Sequence, residues 1–294
     1  MRLLITGATG FLGWRAATLL AGRGHEVTCV ARPGRVARAA AAGLAVTERD
    51  AGDPAIQADV AGRDAVLHFA GVPDPARARA DPATAVRENA GTTLNLLDAC
   101  LRHGAGLVYP STLRAAVEPL PDAYAASKRL GEELCRLHGA RASVVRLASV
   151  FGPGQVRAEG ATGAIAAFAA RALAGEAIVI PGDARRTRDF VYVDDVVLGL
   201  EALAAEARWG ETLAGASGKA TPLLRAAELV VASAGTGVAI DTPGGRLDPA
   251  EDASYAADSS APRLGFEPRP LPAAISAYVD WLAQHPAAQG GAQA

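Results

Sequence analysis

A glycine-rich loop near the start of the chain constrains its fold more than any other feature. Gly7, Gly10 and Gly13 separate a short apolar run from an apolar-faced helix predicted over residues 14–22, and a second strand pattern follows at residues 26–30. The order of strand, glycine loop, helix and strand is typical of a dinucleotide-binding unit. In such a unit the first glycine permits a tight turn, the second lets the backbone approach a pyrophosphate, and the third lets the helix pack closely on the strand.

Strands continue to alternate with helices beyond this unit. The patterns predict strands at residues 44–46, 65–69, 106–109 and 143–147, with helices that include residues 83–101 and 124–137. Such alternation is typical of a parallel sheet that is covered by helices on both faces. We therefore predict an α/β protein with a Rossmann-like, doubly wound parallel sheet and a smaller, mostly C-terminal α/β lobe that binds substrate.

Near residue 153 the sequence pattern changes from regularly alternating strands and helices to helices with short, isolated strands. We predict a dinucleotide-binding domain over residues 1–152, to which later residues such as 186–206 return, and a mostly substrate-binding lobe over residues 153–286. Two short, isolated strand patterns in this second part lie at residues 178–180 and 211–213. Residues 287–294 contain only Ala, Gln and Gly, which predicts a disordered tail.

Charge and cysteine content narrow the class of partner. The formal net charge is −2 and the pI is about 6.2, so no electrostatic feature indicates nucleic acid or an anionic membrane as partner, and a small molecule is expected. Cys29, Cys100 and Cys135 are odd in number and widely spaced, which indicates neither a disulfide framework nor a metal site. We expect core thiols in a cytoplasmic protein, since the first strand pattern begins at Arg2 and no apolar run is long enough to span a membrane.

One tyrosine and one lysine are spaced for acid–base chemistry. Lys128 is one of only two lysines in the chain and lies four residues after Tyr124. On a helix these positions share a face, and a nearby ammonium favours phenolate over phenol. Ser111 and Thr112 follow a predicted strand, on the side where ligands bind in open α/β sheets, so their hydroxyls can hold a carbonyl or alkoxide oxygen. This set of groups predicts proton transfer at an alcohol or ketone.

The end of the second strand bears on cofactor choice. NAD-binding proteins usually place an acidic residue there for the ribose 2′-hydroxyl, whereas this chain has Arg32 and Arg35. An arginine at this point can hold a 2′-phosphate, which favours NADP(H), with NAD(H) as the alternative. The competing interpretation is that Arg32 stacks on the adenine or faces solvent.

Six motifs in order along the chain resemble those of one enzyme family. They lie at residues 7–13, 68–71, 89–92, 124–128, 146–154 and 188–195. Together they are similar to the motifs of the extended short-chain dehydrogenase/reductases, and in particular to the NAD-dependent epimerase/dehydratase family that acts on nucleotide sugars. The resemblance runs from Arg2 to about His285.

The resemblance implies roles for individual residues. Tyr124 would be the acid/base, Lys128 would bond the nicotinamide ribose and lower the pKa of the tyrosine, and Thr112 would hold the substrate oxygen. Ser149, where the family has an asparagine, and Arg188 would lie near a substrate diphosphate. No metal site is implied. The residues expected to bind the cofactor are Gly7, Thr9, Gly10, Phe11, Leu12, Gly13, Arg32, Arg35, Asp50, Ala51, Phe69, Ala70, Gly71, Asn89, Tyr124, Lys128 and Val150.

Some of these residues have a plainer interpretation. Arg188 ends a basic stretch at residues 185–188 that could be a solvated turn, and His68 is expected to be a core histidine. Asp194 and Asp195 precede an apolar helix, where they are expected to act as N-terminal capping carboxylates.

Departures from the family pattern limit the expected activity. Leu113 and Arg114 follow Thr112 at the place where sugar 4,6-dehydratases carry an acidic pair and the related decarboxylases keep a glutamate, which argues against both activities. We therefore expect a 4-ketoreductase or epimerase of a nucleotide sugar. The alternatives are an NADPH-dependent reductase of another small carbonyl compound and a dinucleotide-sensing protein without catalysis. The resemblance also suggests a homodimer packed through the helices at residues 83–101 and 124–137.

Overall fold

The fold was analysed in a computed structural model that describes residues 1–155, 163–255 and 258–285. The tail expected at residues 287–294 lies outside these ranges. Within them the structure contains one large parallel sheet, two small sheets and the helices that cover them.

The seven-stranded central sheet confirms the predicted α/β architecture. Its spatial order is β3-β2-β1-β4-β5-β6-β10, and every neighbouring pair is parallel. The chain passes outward from β1 in both directions, so the carboxyl ends of β1 and β4 meet at a point where strand order reverses, which is where open α/β sheets bind ligands. The strands are β1 Arg2–Thr6, β2 Glu26–Ala31, β3 Ala45–Glu48, β4 Ala65–His68, β5 Gly106–Thr112, β6 Ala142–Leu147, β7 Ser149–Phe151, β8 Ile178–Pro181, β9 Thr187–Tyr192, β10 Thr212–Gly215, β11 Ala220–Pro222 and β12 Ile240–Gly244.

Helices cover both faces of this sheet and form much of the second half of the described chain. They are α1 Phe11–Gly22, α2 Ala37–Ala41, α3 Ile56–Val60, α4 Pro75–Ala80, α5 Pro82–Val86, α6 Thr92–His103, α7 Ala123–Leu137, α8 Ala164–Leu173, α9 Val193–Ala205, α10 Leu223–Ala234, α11 Pro249–Asp252 and α12 Leu271–Gln284. Apolar residues on β1, β4, α1 and α9 form one buried core of the sheet, while β5, β6, α6 and α7 contribute to another.

A separate apolar core lies in the second half of the chain. Helices α8, α10 and α12 pack around the ring of Phe151, which makes edge-on contacts with Phe190, Tyr192 and Tyr278. The strand at residues 178–180 belongs here, as expected, since β8 pairs with β12. The strand expected at residues 211–213 does not, because β10 pairs with β6 and thereby covers an edge of the central sheet.

The helix predicted over residues 83–101 is interrupted. Helix α5 ends at Val86, a π-helical turn spans Arg87–Gly91, and α6 begins at Thr92. Helix α7 agrees with its predicted range because Asp122 caps its first turn: Oδ1 accepts a hydrogen bond from the backbone N–H of Ala125 at 2.7 Å. This cap fixes the start of the helix that carries Tyr124.

The expected capping role of Asp194 and Asp195 is wrong. Both lie in the first turn of α9, but the helix has no side-chain cap. Asp194 instead accepts two hydrogen bonds from Arg15 of α1, and Asp195 pairs with Arg269 ahead of α12. The two carboxylates therefore join α9 to distant parts of the chain.

Three findings bear on the broad class of protein. No helix among the described residues is long and apolar enough to cross a membrane. The three cysteines are free and buried, as expected for core thiols. No group of three or more potential metal-ligating side chains occurs in the described ranges.

An ion pair between buried Glu132 and partly buried Arg146 fixes the end of β5, where the predicted site begins. Glu132 of α7 is 5% exposed and accepts two-pronged hydrogen bonds from Arg146 of β6, with Nη2–Oε2 at 2.6 Å. Its Oε1 also accepts a hydrogen bond from the hydroxyl of Ser111 at 2.5 Å. This bond holds the Ser111 side chain against α7 and thereby fixes the backbone that leads into Thr112.

Removing one member of this pair should destabilise the protein strongly. We expect Arg146→Met to lower the free energy of unfolding by about 3–5 kcal/mol, because the Glu132 carboxylate is left buried without its partner. The double variant Arg146→Met/Glu132→Leu should recover most of the loss, since it removes the charge as well. Urea denaturation of both variants measures this, and a double variant as unstable as the single one would contradict the electrostatic explanation.

Candidate active site

The backbone of the glycine loop packs directly against the backbone at the end of β4, with no room for a side chain between them. Gly7 has a φ of +69°, and a Cβ on it would lie 2.6 Å from the backbone of Phe69 and Ala70. A Cβ on Gly13 would lie 2.3 Å from the carbonyl oxygen of Gly7. Both glycines are therefore required by the packing of the loop itself, as the sequence indicated.

Gly10 differs from these two because the protein does not fill the space beside it. A Cβ there would meet only the Gly7 carbonyl oxygen, at 3.4 Å. Gly10 is also the N-cap of α1, gives no side-chain cap, and is followed by no acidic residue in the first turn. The start of α1 thus leaves backbone donors and a positive helix end that suit a phosphate, so the loop fits the diphosphate of a dinucleotide.

One cleft of about 1380 Å³ runs from this loop across the carboxyl ends of the central strands into the second half of the chain. It contains most of the site residues that the sequence predicted, and it therefore joins the expected cofactor end to the expected substrate end. The predicted residues that line it are Gly7, Thr9, Gly10, Phe11, Leu12, Gly13, Arg32, Arg35, Asp50, Ala51, Phe69, Ala70, Gly71, Tyr124, Ser149, Val150 and Arg188.

Thr112 lines a smaller cavity of about 90 Å³ that adjoins the cleft. Ser149, Arg188 and Arg114 border both spaces, so the hydroxyl at the end of β5 meets the substrate end of the cleft. Tyr255 closes the far side of this cavity. The three hydroxyl-bearing residues and the two guanidinium groups give the region a polar, donor-rich surface.

Tyr124 lies in the first turn of α7, half-buried against Val72, Ala78 and Ala85. Burial raises the pKa of Tyr124 to about 12, while the charge of Arg114 and a hydrogen bond with Thr112 act in the opposite direction. The sequence suggested that Lys128 lowers the pKa of Tyr124; in the structure described this pKa is raised instead, because the desolvation of the phenolate outweighs the charge of Arg114. Tyr124 is therefore a protonated donor at neutral pH.

Lys128 lies one turn further along α7 and is buried behind the cleft. Its Nζ sits 4.4 Å from the centre of the Tyr109 ring, a cation–π contact, and only 9% of the residue is exposed. Burial lowers the pKa of Lys128 to about 8, with Cys135 and Glu132 opposing the shift. Because the ammonium is poorly solvated, a hydrogen-bond acceptor on a ligand would stabilise it.

Asn89 lies beneath the cleft rather than in it. It is 1% exposed, and its amide bonds the backbone N–H and carbonyl of Val72 and the hydroxyl of Ser127. A Cβ on Gly71 would lie 2.2 Å from the Asn89 Oδ1. The side chain thus shapes the turn at Gly71 from behind, and it does not face the cofactor end directly as the sequence suggested.

His68 is a core residue, as expected. It is fully buried, with Nδ1 2.7 Å from the hydroxyl of Thr6 and Nε2 3.2 Å from that of Thr92. Burial lowers the pKa of His68 to about 3, so the imidazole is neutral. It links β1 to α6 below the glycine loop.

Arg188 is not a solvated turn residue. Its guanidinium donates hydrogen bonds to the backbone carbonyls of Thr187, Glu251 and Ala253, and it lies 5.2 Å from the centre of the Tyr255 ring. It therefore holds the segment around α11 against the substrate end of the cleft while its own side chain lines that end.

Sequence reasoning did not identify six of the arginines that line this cleft, and two of these six, Arg38 and Arg114, make contacts that shape the site. From the sequence, Arg114 was identified only as a difference from the family pattern. In the structure it forms ion pairs with Asp122 and Glu251 and lies 4.9 Å from the centre of the Tyr255 ring. Arg38, within an alanine-rich stretch, lines the cleft beside the glycine loop. Neither arginine lies in a sequence pattern that would have predicted its contacts in the cleft.

Comparisons with known proteins agree with the geometry. The model of the "NAD dependent epimerase/dehydratase family" matches residues 3–213. A dTDP-glucose 4,6-dehydratase of Streptomyces antibioticus is 30% identical, over 96% of this chain and 92% of that protein. A dTDP-4-dehydro-6-deoxy-D-allose reductase of Streptomyces bikiniensis is 27% identical over 96% of each chain.

A comparison with solved structures also finds an enzyme that acts on a nucleotide sugar. A UDP-glucose 4-epimerase of Thermotoga maritima, determined with UDP-glucose, superimposes with a TM-score of 0.84 at 26% identity and covers 97% of this chain and 99% of its own. The match extends over both the central sheet and the second half of the chain. The chain described here thus belongs to the NAD-dependent epimerase/dehydratase family of enzymes.

Proposed function

We propose that this protein is a nicotinamide-dependent oxidoreductase or epimerase that acts at a secondary alcohol or ketone carbon of a nucleotide-diphospho-sugar. One observation carries the proposal: a single cleft of about 1380 Å³ joins the glycine loop, the phenol of Tyr124 and the guanidinium of Arg188. Such a cleft has room for a dinucleotide and a second nucleotide end to end. When bound, the nicotinamide supplies or accepts a hydride at its C4.

The protein's own residues move the proton and hold the oxygen. Tyr124, protonated at neutral pH, would donate to the oxygen of a ketone that is being reduced and take the proton back in the reverse direction. Thr112, at the end of β5, would hold the same oxygen. Lys128 would bond the nicotinamide ribose, whose hydroxyls would give this poorly solvated ammonium a hydrogen-bond acceptor.

The surroundings of Thr112 disfavour elimination of water. Leu113 and Arg114 stand where the sugar 4,6-dehydratases carry an acidic pair, and Arg114 is bound to two carboxylates, those of Asp122 and Glu251. We therefore propose that the similarity to dehydratases covers the hydride chemistry and not the loss of water.

A second candidate function is reduction of a small carbonyl compound without a nucleotide. It is favoured by Arg188, whose guanidinium already satisfies three backbone carbonyls, and by the small volume of about 90 Å³ beside Thr112. Under this alternative, free NADPH would drive turnover of simple ketones, whereas nucleotide sugars would neither react nor compete.

NADP(H) is the proposed cofactor, with NAD(H) as the alternative that the family description favours. The side chain of Arg32 is about half exposed (55%) at the end of β2, and its one ion pair, with Glu88, is long at 3.3 Å. Such a guanidinium can turn toward a ribose 2′-phosphate at small cost. Residues 31–35, which follow directly on β2, include no Asp or Glu of the kind that usually binds the free 2′-hydroxyl.

We further propose a cytoplasmic homodimer. The location is supported by three buried free thiols, which are usual in a reducing compartment. The dimer is supported by exposed leucines on α6 and α7, of which Leu101 and Leu137 are 56% and 68% exposed.

Replacing the proposed acid tests the mechanism. Tyr124→Phe should lower turnover by about 10²–10⁴-fold, the usual contribution of a positioned acid or base, while dinucleotide affinity stays unchanged. Turnover is measured with UDP-glucose, dTDP-glucose and a 4-keto dTDP-sugar, with either nicotinamide cofactor. Tyr192→Phe, which removes a phenol outside the cleft, is the matched control, and equal turnover of the two variants would contradict the role of Tyr124.

Cofactor choice has its own test. Arg32→Gln should weaken NADPH binding by about ten-fold or more, the range for a lost hydrogen bond to a charged group, and leave NADH binding unchanged. Fluorescence titration of the two reduced cofactors measures this. Arg225→Gln, on the surface of α10, serves as control, and equal losses for both cofactors would remove Arg32 from cofactor selection.

A further inference from the structure

Arg38 bridges two loops at the cofactor end of the cleft. Its Nη2 donates a hydrogen bond to the carbonyl oxygen of Gly154 at 2.6 Å, and its Nη1 reaches that of Thr9, in the glycine loop, at 3.4 Å. The guanidinium also stacks over the ring of Trp14, 4.6 Å from the ring centre. Three contacts from three parts of the chain thus hold this side chain of α2 in one orientation.

The charge of Arg38 is not balanced by a carboxylate among the described residues. The residue is half-buried, and burial lowers the pKa of its guanidinium, with no acidic group opposing the shift. Both of its hydrogen-bond partners are neutral carbonyls. Three other arginines that line the same cleft do have ion-pair partners, namely Arg32–Glu88, Arg49–Asp59 and Arg79–Asp248. Arg35 and Arg77 also line the cleft, but their side chains are exposed to solvent, whereas Arg38 is half-buried.

A poorly solvated, unpaired cation costs free energy that an anionic ligand can offset. Arg38 lies beside the glycine loop, where the uncapped start of α1 already favours negative charge. The two positive features therefore face the same stretch of the cleft, which both Thr9 and Gly154 also line.

We propose that Arg38 contacts the diphosphate of the dinucleotide cofactor and is the main side-chain cation of that subsite. This inference rests on the proposed function and extends it to a residue outside the family motifs described above. The contact with Thr9 places the guanidinium at the loop that holds the diphosphate in this fold, whereas Arg32 follows β2, on the side of the 2′-position. Arg38 thus serves both cofactors equally, and Arg32 distinguishes between them.

Two substitutions separate the charge of Arg38 from its role as a bridge. Arg38→Gln keeps an N–H donor for the Gly154 carbonyl but removes the charge, while Arg38→Lys keeps the charge but loses the two-pronged geometry. We expect Arg38→Gln to weaken NADH and NADPH binding to the same extent, by about 10–100-fold, and to make the affinity less dependent on salt. Arg38→Lys should restore part of the affinity and the salt dependence.

The measurement is fluorescence titration of the purified full chain with NADH and with NADPH at several salt concentrations. Thermal unfolding of each variant is followed in parallel, and Arg225→Gln is the control for loss of a surface charge. Arg38→Met is a second neutral variant, whose apolar stem still packs on Trp14, for use if Arg38→Gln does not fold.

Three results would overturn the inference. Unchanged affinity for both cofactors would exclude a contact with either phosphate group, and a loss confined to NADPH would move Arg38 to the 2′-phosphate. Equal losses with unaltered salt dependence, unrelieved by lysine, would show that Arg38 only packs the loops. Since no turnover is involved, a wild-type chain that binds neither dinucleotide would instead contradict the proposed function itself.

Discussion

The close approach of the glycine loop to the end of β4 is the constraint on which the rest of the site depends. Gly7 and Gly13 have no room for a Cβ, and the contact sets the loop directly on the backbone of Phe69 and Ala70. Because β1 and β4 are neighbours in the sheet, this contact opens the cleft at the point where strand order reverses. Gly10, which packing alone does not require, then lines the cleft with no side chain between it and a ligand.

The cleft has two regions that differ in their balance of charge. Near the glycine loop, the start of α1 and Arg38 make a positive region without a carboxylate partner among the described residues. Near the reacting end, Arg114 is neutralised by Asp122 and Glu251, and burial raises the pKa of the Tyr124 phenol, which is protonated at neutral pH. The first region suits a diphosphate, and the second suits a proton donor beside a ketone oxygen. This arrangement explains how a chain similar to dehydratases can perform hydride chemistry without the acidic pair.

The sequence predicted those features that depend on local pattern. The glycine spacing, the strand alternation and the four-residue interval from Tyr124 to Lys128 are each contained in one or two elements. What it did not predict depends on long-range contacts: Arg38 meets Gly154, and Arg114 meets Glu251, far along the chain. The raised pKa of Tyr124 follows from burial against the segment around Val72. The spacing of residues in the sequence does not show how deeply a side chain is buried. The strand predicted at residues 211–213 was assigned to the wrong lobe because a run of three residues carries no information about its partner strand.

The central claim is that the site transfers a hydride at an alcohol or ketone carbon and does not eliminate water. The most direct test is to give the enzyme, with nicotinamide cofactor in ordinary water, a nucleotide sugar that carries deuterium on the C4 of the sugar, and to follow the label by NMR and mass spectrometry. The account predicts that the deuterium stays on carbon, either in the sugar product or on the nicotinamide, and that the product keeps all its oxygen atoms. Loss of the deuterium to solvent, or a product lighter by one water molecule, would contradict it.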